Sequence, residues 1–270
     1  LLANTTLLLG FLSLIGVIAR RRWDWRYALG PMLGVIVIAM TGSRGPLLAI
    51  VPLALVAAWF VWREARLRPL VVFAGLVAYL AFSAVVIVGL PSRSTTIVTA
   101  IGGVLDDPVR LGPGGLTFPP PEVVPEDSST GIRLALYEAG YEAFLKSPII
   151  GHGWARLMEA PLPFIAPGYE EYLASLPHLH NDIIDFAVTA GVIGIAVYVL
   201  LLVTPFVAAW RGPRDSLYGA RLFGATTLCT AYAFDGLTDL MFGMEFHSAL
   251  FVVLTAILVG YCRDTPAGRP

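Results

Sequence analysis

Seven apolar segments, joined by connections that are alternately rich and poor in arginine, leave this chain few folds to choose from. They run roughly from Leu1 to Ala19, Tyr27 to Met40, Pro46 to Trp62, Leu70 to Leu90, Ile183 to Trp210, Leu217 to Phe234 and Phe246 to Tyr261. A helix needs about 20 apolar residues, with a range of about 17 to 25, to cross a bilayer, and most of these segments qualify. Charged residues make up only 14% of the sequence and hydrophobic residues 57%, whereas soluble globular domains are about a quarter charged. The fold class is therefore all-α integral membrane, with about seven transmembrane helices and one large, partly helical extracytoplasmic loop. The expected division is four transmembrane helices in residues 1–90, a periplasmic loop with short helices in 91–181, and three transmembrane helices with a short cytoplasmic tail in 182–270.

Arginine sets the orientation. Arg20, Arg21, Arg22 and Arg26 follow the first segment, Arg63, Arg66 and Arg68 the third, Arg211 and Arg214 the fifth, and Arg263 and Arg269 the last. Every second connection is basic, which puts those ends in the cytoplasm. The turn Thr41-Gly-Ser-Arg-Gly45, the loop from Pro91 to Asn181 and the turn from Asp235 to Glu245 then share the outer side. Trp23, Trp25, Trp59, Trp62 and Trp210 gather at the inner boundary, as interfacial anchors do. A net charge of −1 gives no basic field, so no nucleic-acid partner is expected. Cys229 lies in one apolar segment and Cys262 at the far end of the next, which argues against a disulfide. The chain opens at Leu1 in an apolar run with no basic region before it, so it reads as the C-terminal part of a longer polypeptide, without a signal peptide.

The second apolar segment offers about 14 residues, or about 21 Å of helix, against a hydrocarbon core of about 30 Å. That mismatch draws the following turn into the outer headgroup layer and sets Arg44 at the depth of lipid phosphates. A guanidinium there makes bidentate, charge-assisted bonds to a phosphate; equally, it can snorkel to ordinary headgroups.

Within the outer loop, Gly102 to Pro125 is rich in Gly and Pro and is expected to be mobile or extended. Ser128, Ser129 or Thr130 then caps a helix running to about Lys146 and ended by Ser147-Pro148. Ile132, Leu136, Ala139 and Ala143 share one face, and Arg133, Tyr137 and Tyr141 another. Arg133 stands in the first turn, where exposed N–H groups favour anions, or else pairs with an acid such as Glu138. His152, in the turn Gly151-His-Gly-Trp154, reads as a loop polar residue rather than a catalyst.

The loop closes on His178-Leu-His-Asn-Asp-Ile-Ile-Asp185, which runs straight into the fifth apolar segment. Two histidines, an amide and two carboxylates at the mouth of a spanning helix are costly near lipid and usually persist there for a functional reason. Asn181 and Asp182 suit a helix cap. His178, His180 and Asp182 alternate as strand neighbours do, which leaves a metal reading open, although no cysteine partner or helical histidine spacing supports zinc. Asp235 and Asp239, four residues apart, are expected on one helix face, as a polar helix end or as groups that bind acceptor hydroxyls or pair with Arg44 or Arg133.

Ser43-Arg-Gly45, Arg133-Leu-Ala-Leu-Tyr137, Pro148-Ile-Ile-Gly-His-Gly153, His178-Leu-His-Asn181 and Ala190-Gly-Val-Ile-Gly194 together resemble the O-antigen ligase and polymerase superfamily, membrane glycosyltransferases of the C type. The resemblance runs from about residue 27 to 200 and implies the C-terminal half of a larger helical bundle with its periplasmic loop. It implies diphosphate contacts for Arg44 and Arg133 and a catalytic role for His180. Tyr137 stands where relatives often carry Trp, and with Asp235 and Asp239 it forms a supporting or acceptor-facing set. No cofactor and no metal are expected.

The implied reaction moves a glycan from a polyprenyl (undecaprenyl) diphosphate carrier to an acceptor hydroxyl on lipid A core, a glycan or a protein, at the outer face of the bacterial inner membrane. The donor already carries a good leaving group, so the enzyme has to neutralise charge growing on the diphosphate and orient the acceptor. A neutral histidine can take the acceptor proton, a contribution of about 10² to 10⁴ in rate. A repeat-unit polymerase of the same superfamily differs only in its acceptor. A transporter or flippase for a lipid-linked or polar substrate favours charges at mid-helix and interrupted helix pairs, whereas the informative charges here collect on the outer side.

Overall fold

A computed structural model of the chain describes residues 2–43, 45–89, 110–112, 115–117, 129–165 and 176–262. It separates into two compact units: Leu1–Leu90, Leu200–Asp235 and Met241–Pro270 form the first, and Pro91–Val199 with Gly236–Leu240 form the second.

The first unit is a helical bundle. The leading apolar segment is broken at Ser13 and Leu14 into α1 (Leu2–Leu12) and α2 (Ile15–Arg20). The Ser13 hydroxyl lies 2.7 Å from the Gly10 carbonyl and 3.0 Å from that of Tyr27, which ties this break to the next connection. A short 3₁₀ turn at Trp25–Ala28, whose Asp24 carboxylate accepts the Arg26 amide at 3.1 Å, leads into α3 (Leu29–Thr41). α4 (Leu47–Ala65), α5 (Pro69–Val88), α8 (Tyr218–Asp235) and α9 (Glu245–Gly260) complete the unit with the end of α7 (Asp182–Arg211). Pro69 opens α5, where its missing N–H costs nothing. Gly10 and Gly30 let α1 and α3 touch backbone to backbone, since a Cβ on Gly10 would lie 2.4 Å from the Gly30 oxygen. Leu7, Phe11, Ile38, Leu53, Phe223 and Leu228 fill the space between the helices.

Among the described residues, four helical stretches are long and apolar enough to cross a membrane, Leu2–Arg20, Leu47–Ala65, Pro69–Val88 and Asp182–Arg211, against the seven expected. Trp25–Thr41 and α9 are apolar but shorter, and α8 is diluted by Arg221, Thr226, Thr227 and Asp235. The arginine-bearing connections share one end of this unit. Arg21 and Arg63 both reach Glu64, at 3.9 and 3.5 Å, and Gly219 at the start of α8 packs on the same carboxylate. Arg221 is buried there, its guanidinium 2.9 and 3.1 Å from the two Asp215 oxygens. At the other end Asn4 donates to Met241 at 3.4 Å and Thr5 meets the His247 ring at 3.4 Å. Cys229 and Cys262 are both free thiols.

In the second unit, the Gly- and Pro-rich stretch contains a short antiparallel pair, β1 (Arg110–Gly112) and β2 (Gly115–Thr117). α6 (Ser129–Lys146) follows with the expected bounds. Its Leu136, Ala139 and Ala143 are fully buried and pack with Leu179 and Val188. Short 3₁₀ turns at Trp154–Arg156 and Leu162–Phe164 lead on toward α7.

α7 breaks inside this unit at Gly191, whose φ of 63° and ψ of −149° suit essentially glycine alone. A Cβ there would lie 2.4 Å from the Ile149 backbone, and one on Gly151, at φ 65°, 2.4 Å from that of Thr189. The break frees carbonyls that the loop takes up: His152 and Gly153 donate to Val188 and Thr189, and Val192 donates to Pro148, all at 2.8 Å. The His152 ring lies 2.8 Å from the Ala143 carbonyl, which makes it a structural tie, as its loop position suggested.

Candidate functional site

The site is assembled within the second unit, where the start of α7 meets α6 and the turn at 236–240. Asn181 caps α7: its side-chain oxygen accepts the Ile184 amide at 3.1 Å while its NH₂ donates to the Leu237 carbonyl at 2.9 Å. Asp182 does not share that role. It is fully buried as the first helical residue, and its amide donates to Gly236 at 2.8 Å. Asp185, also buried, accepts the Leu179 amide at 3.0 Å and so fixes the approach to the helix. Leu179 plugs into the core of this unit, and His178 and His180 flank it.

His180 adopts a left-handed backbone, φ 57°. A non-glycine residue there costs roughly 1–2 kcal/mol, and such strain clusters at functional sites. Its carbonyl is held at 2.9 Å by the Tyr137 hydroxyl, which also lies 3.0 Å from the Leu237 carbonyl. Burial, partly countered by the nearby Arg133 charge, raises the Tyr137 hydroxyl above its ordinary pKa, so it stays a donor. The His178 ring stands edge-on to that of His180, centroids 4.3 Å apart, and its Nδ1 accepts the His180 amide at 3.2 Å. Burial first, and the adjoining His180 second, push His178 down to about 4. It is thus a neutral ring that orients its neighbour.

Asp239 faces His180, Oδ1 to Nδ1 at 3.9 Å, with both side chains about a third or less exposed. That distance is longer than a hydrogen bond, and the contact becomes an ion pair only when the ring is protonated. Burial opposes ionisation of Asp239, but the His180 ring and the Leu240 amide outweigh it and hold the carboxyl below its usual range. Asp235 and Asp239 do not share a helix face: α8 ends at Asp235, Gly236 follows, and Asp239 lies in the turn beyond. Asp235 is buried in the first unit and Asp239 belongs to the second.

Arg133 is half-buried one helical turn before Tyr137, and its charge is felt by both Tyr137 and His178. Among the described residues it forms no ion pair with Glu138. Arg44 lies outside the described residues. Among the described residues no three His, Cys, Asp or Glu side chains converge as metal ligands do. One contributor carries no signal in the sequence, the Leu237 carbonyl. Asp185, one of the two carboxylates at the mouth of the apolar segment, acts on the backbone of Leu179.

The arrangement is that of an oriented imidazole. Nδ1 of His180 is turned toward the Asp239 carboxylate. A donor hydroxyl and a neutral second ring hold the loop, and a guanidinium stands close by. No curated protein matches the chain. A family model described as O-antigen ligase matches residues 29–199, more than half of the chain and the stretch that carries Arg133, Tyr137, His178 and His180, and the chain belongs to that family.

Proposed function

We propose that the protein transfers a glycan from a polyprenyl-diphosphate carrier to an acceptor hydroxyl, with His180 as general base. The observation that carries this reading is the left-handed His180 with its Nδ1 toward Asp239. The acceptor O–H gives its proton to Nε2 as its oxygen attacks the anomeric carbon. The bond from that carbon to the diphosphate breaks, and its electron pair leaves with the phosphate oxygen. Attack from the side opposite the leaving group inverts the anomeric centre. Arg133, and Arg44 by its motif, neutralise the charge that grows on the diphosphate. Asp239 stabilises the imidazolium that forms, and Tyr137 and His178 are positioning residues. The reaction takes place at the outer face of the cytoplasmic membrane and uses no metal.

The test is transfer of a labelled glycan from purified undecaprenyl-diphosphate donor, in detergent, to lipid A core, to a glycan chain and to a protein acceptor. Transfer to lipid A core is the ligase outcome, and elongation of the glycan is the polymerase outcome. His180→Asn, which tolerates a left-handed backbone, is expected to fold and to lose about 10² to 10⁴ of the rate. Arg133→Lys keeps the charge and loses the planar fork, and is expected to lose most activity. Full activity in His180→Asn, or inhibition by chelator reversed by one divalent ion, overturns the mechanism.

A further inference from the structure

A cavity of about 400 Å³ lies wholly within the first unit, between the α1–α2 segment and α3, α4 and α5. That size is within the ~300–1,000 Å³ range of small-molecule sites. Its wall is almost entirely apolar, built from side chains such as Phe11, Met32, Val61 and Leu76. Trp23 and Leu67 line it at the arginine-bearing end, and Ala54 and Tyr79 line it furthest away. α5 starts at Pro69, so Tyr79 lies ten residues along it, about 15 Å at ~1.5 Å per residue. That depth is close to half the ~30 Å hydrocarbon core of a bilayer. The groove thus reaches from the arginine end to mid-bundle, the length of one leaflet.

Charge at the rim supplies an independent observation. Leu67 is flanked by Arg66 and Arg68, and Trp23 follows Arg22 and precedes Arg26 by three positions, and all four arginines are exposed. Arg21 and Arg63 share Glu64, whereas among the described residues Arg22, Arg26, Arg66 and Arg68 have no carboxylate partner. An apolar slot one leaflet deep beneath unpaired guanidinium groups matches a lipid with a hydrocarbon tail and an anionic head. We propose that this groove binds one anionic phospholipid, its acyl chain lying between α3, α4 and α5 and its phosphate held by Arg22, Arg66 and Arg68. The polyprenyl donor is a different occupant, because its diphosphate belongs with Arg133.

Gly75 offers a clean way in, because it lines the groove and a Cβ built on it meets nothing within 4 Å. The experiment is native mass spectrometry of the full chain in mild detergent, with phosphatidylglycerol, phosphatidylcholine and undecaprenyl phosphate supplied at equal concentration. The wild type is expected to retain one phosphatidylglycerol in preference to the other two. Arg22→Gln, Arg66→Gln and Arg68→Gln are each expected to lower that preference about fivefold, with phosphatidylcholine retention unchanged. Gly75→Phe is expected to lose retention of both phospholipids at least tenfold, its helical circular dichroism unchanged. Equal retention of the two phospholipids by the wild type, full retention by a folded Gly75→Phe, or displacement by undecaprenyl phosphate overturns the proposal. Should Gly75→Phe misfold, the surface arginine variants decide it alone.

Discussion

The Tyr137 hydroxyl sits 2.9 Å from the carbonyl of His180, 43 positions further along the chain, and 3.0 Å from that of Leu237, 100 positions further. One phenol therefore joins α6, the approach to α7 and the turn after α8 at the residue proposed as base. Tyr137→Phe keeps the ring and leaves both carbonyls without that donor, a cost of about 1–3 kcal/mol. Transfer is expected to fall about tenfold or more through kcat rather than KM, measured on the detergent-solubilised protein. A KM effect alone would instead place Tyr137 against the acceptor.

Asp239→Asn removes the charge that faces His180 and keeps the volume. The expected loss is about 10²-fold in kcat, smaller than for a buried triad aspartate because the contact is long and part-exposed. A kcat that stays at the wild-type level assigns Asp239 to the turn alone.

His178 is expected to make stability depend on pH. Its folded pKa, about 4, lies below the ~6.5 of an unfolded histidine. Above about pH 6.5 both states are neutral and nothing is lost. Between about 6.5 and 4 the unfolded chain takes up the proton first, so stability falls with falling pH, by up to ~1.4 kcal/mol per unit. His178→Gln should flatten that window in urea unfolding at pH 7, 5.5 and 4. The Asp239 carboxyl, held low, contributes only at the acid end. A wild-type slope that survives in His178→Gln assigns the effect to another group.

Topology is open to direct labelling. With Cys229 and Cys262 replaced by serine, Glu159→Cys, an exposed loop position, should react with a membrane-impermeant maleimide from outside. Arg68→Cys, exposed at the arginine-bearing end, should react only after the membrane is opened. The reverse pattern inverts the orientation and removes the proposed site from the outer face.

Where a feature rests on periodicity or on local side-chain chemistry, the sequence was enough. The buried face of α6 at Leu136, Ala139 and Ala143, its stop before Pro148 and the Asn181 cap all follow from residues within a turn or two of one another. The gathering of arginine connections at one end of the first unit follows from their alternation. What escaped depends on backbone groups far apart in the chain. The Leu237 carbonyl that receives Tyr137 and Asn181, and the exchange between residues 148–153 and 188–192, leave no side-chain signature. Asp239 was misplaced for a related reason: four-residue spacing implies a helix face only while the helix lasts, and Gly236 ends it.

The break at Gly191 ties the apolar segment to the polar loop. A straight helix answers its own carbonyls, but here those of Val188 and Thr189 take the amides of His152 and Gly153, and the Val192 amide goes to Pro148. The direction of the residues after the break thus rests on a polar stretch about forty residues earlier in the chain. The same stretch follows α6, which packs with Leu179 between the two histidines, so a substitution that straightens the bend is expected to disturb the proposed site as well as the helix.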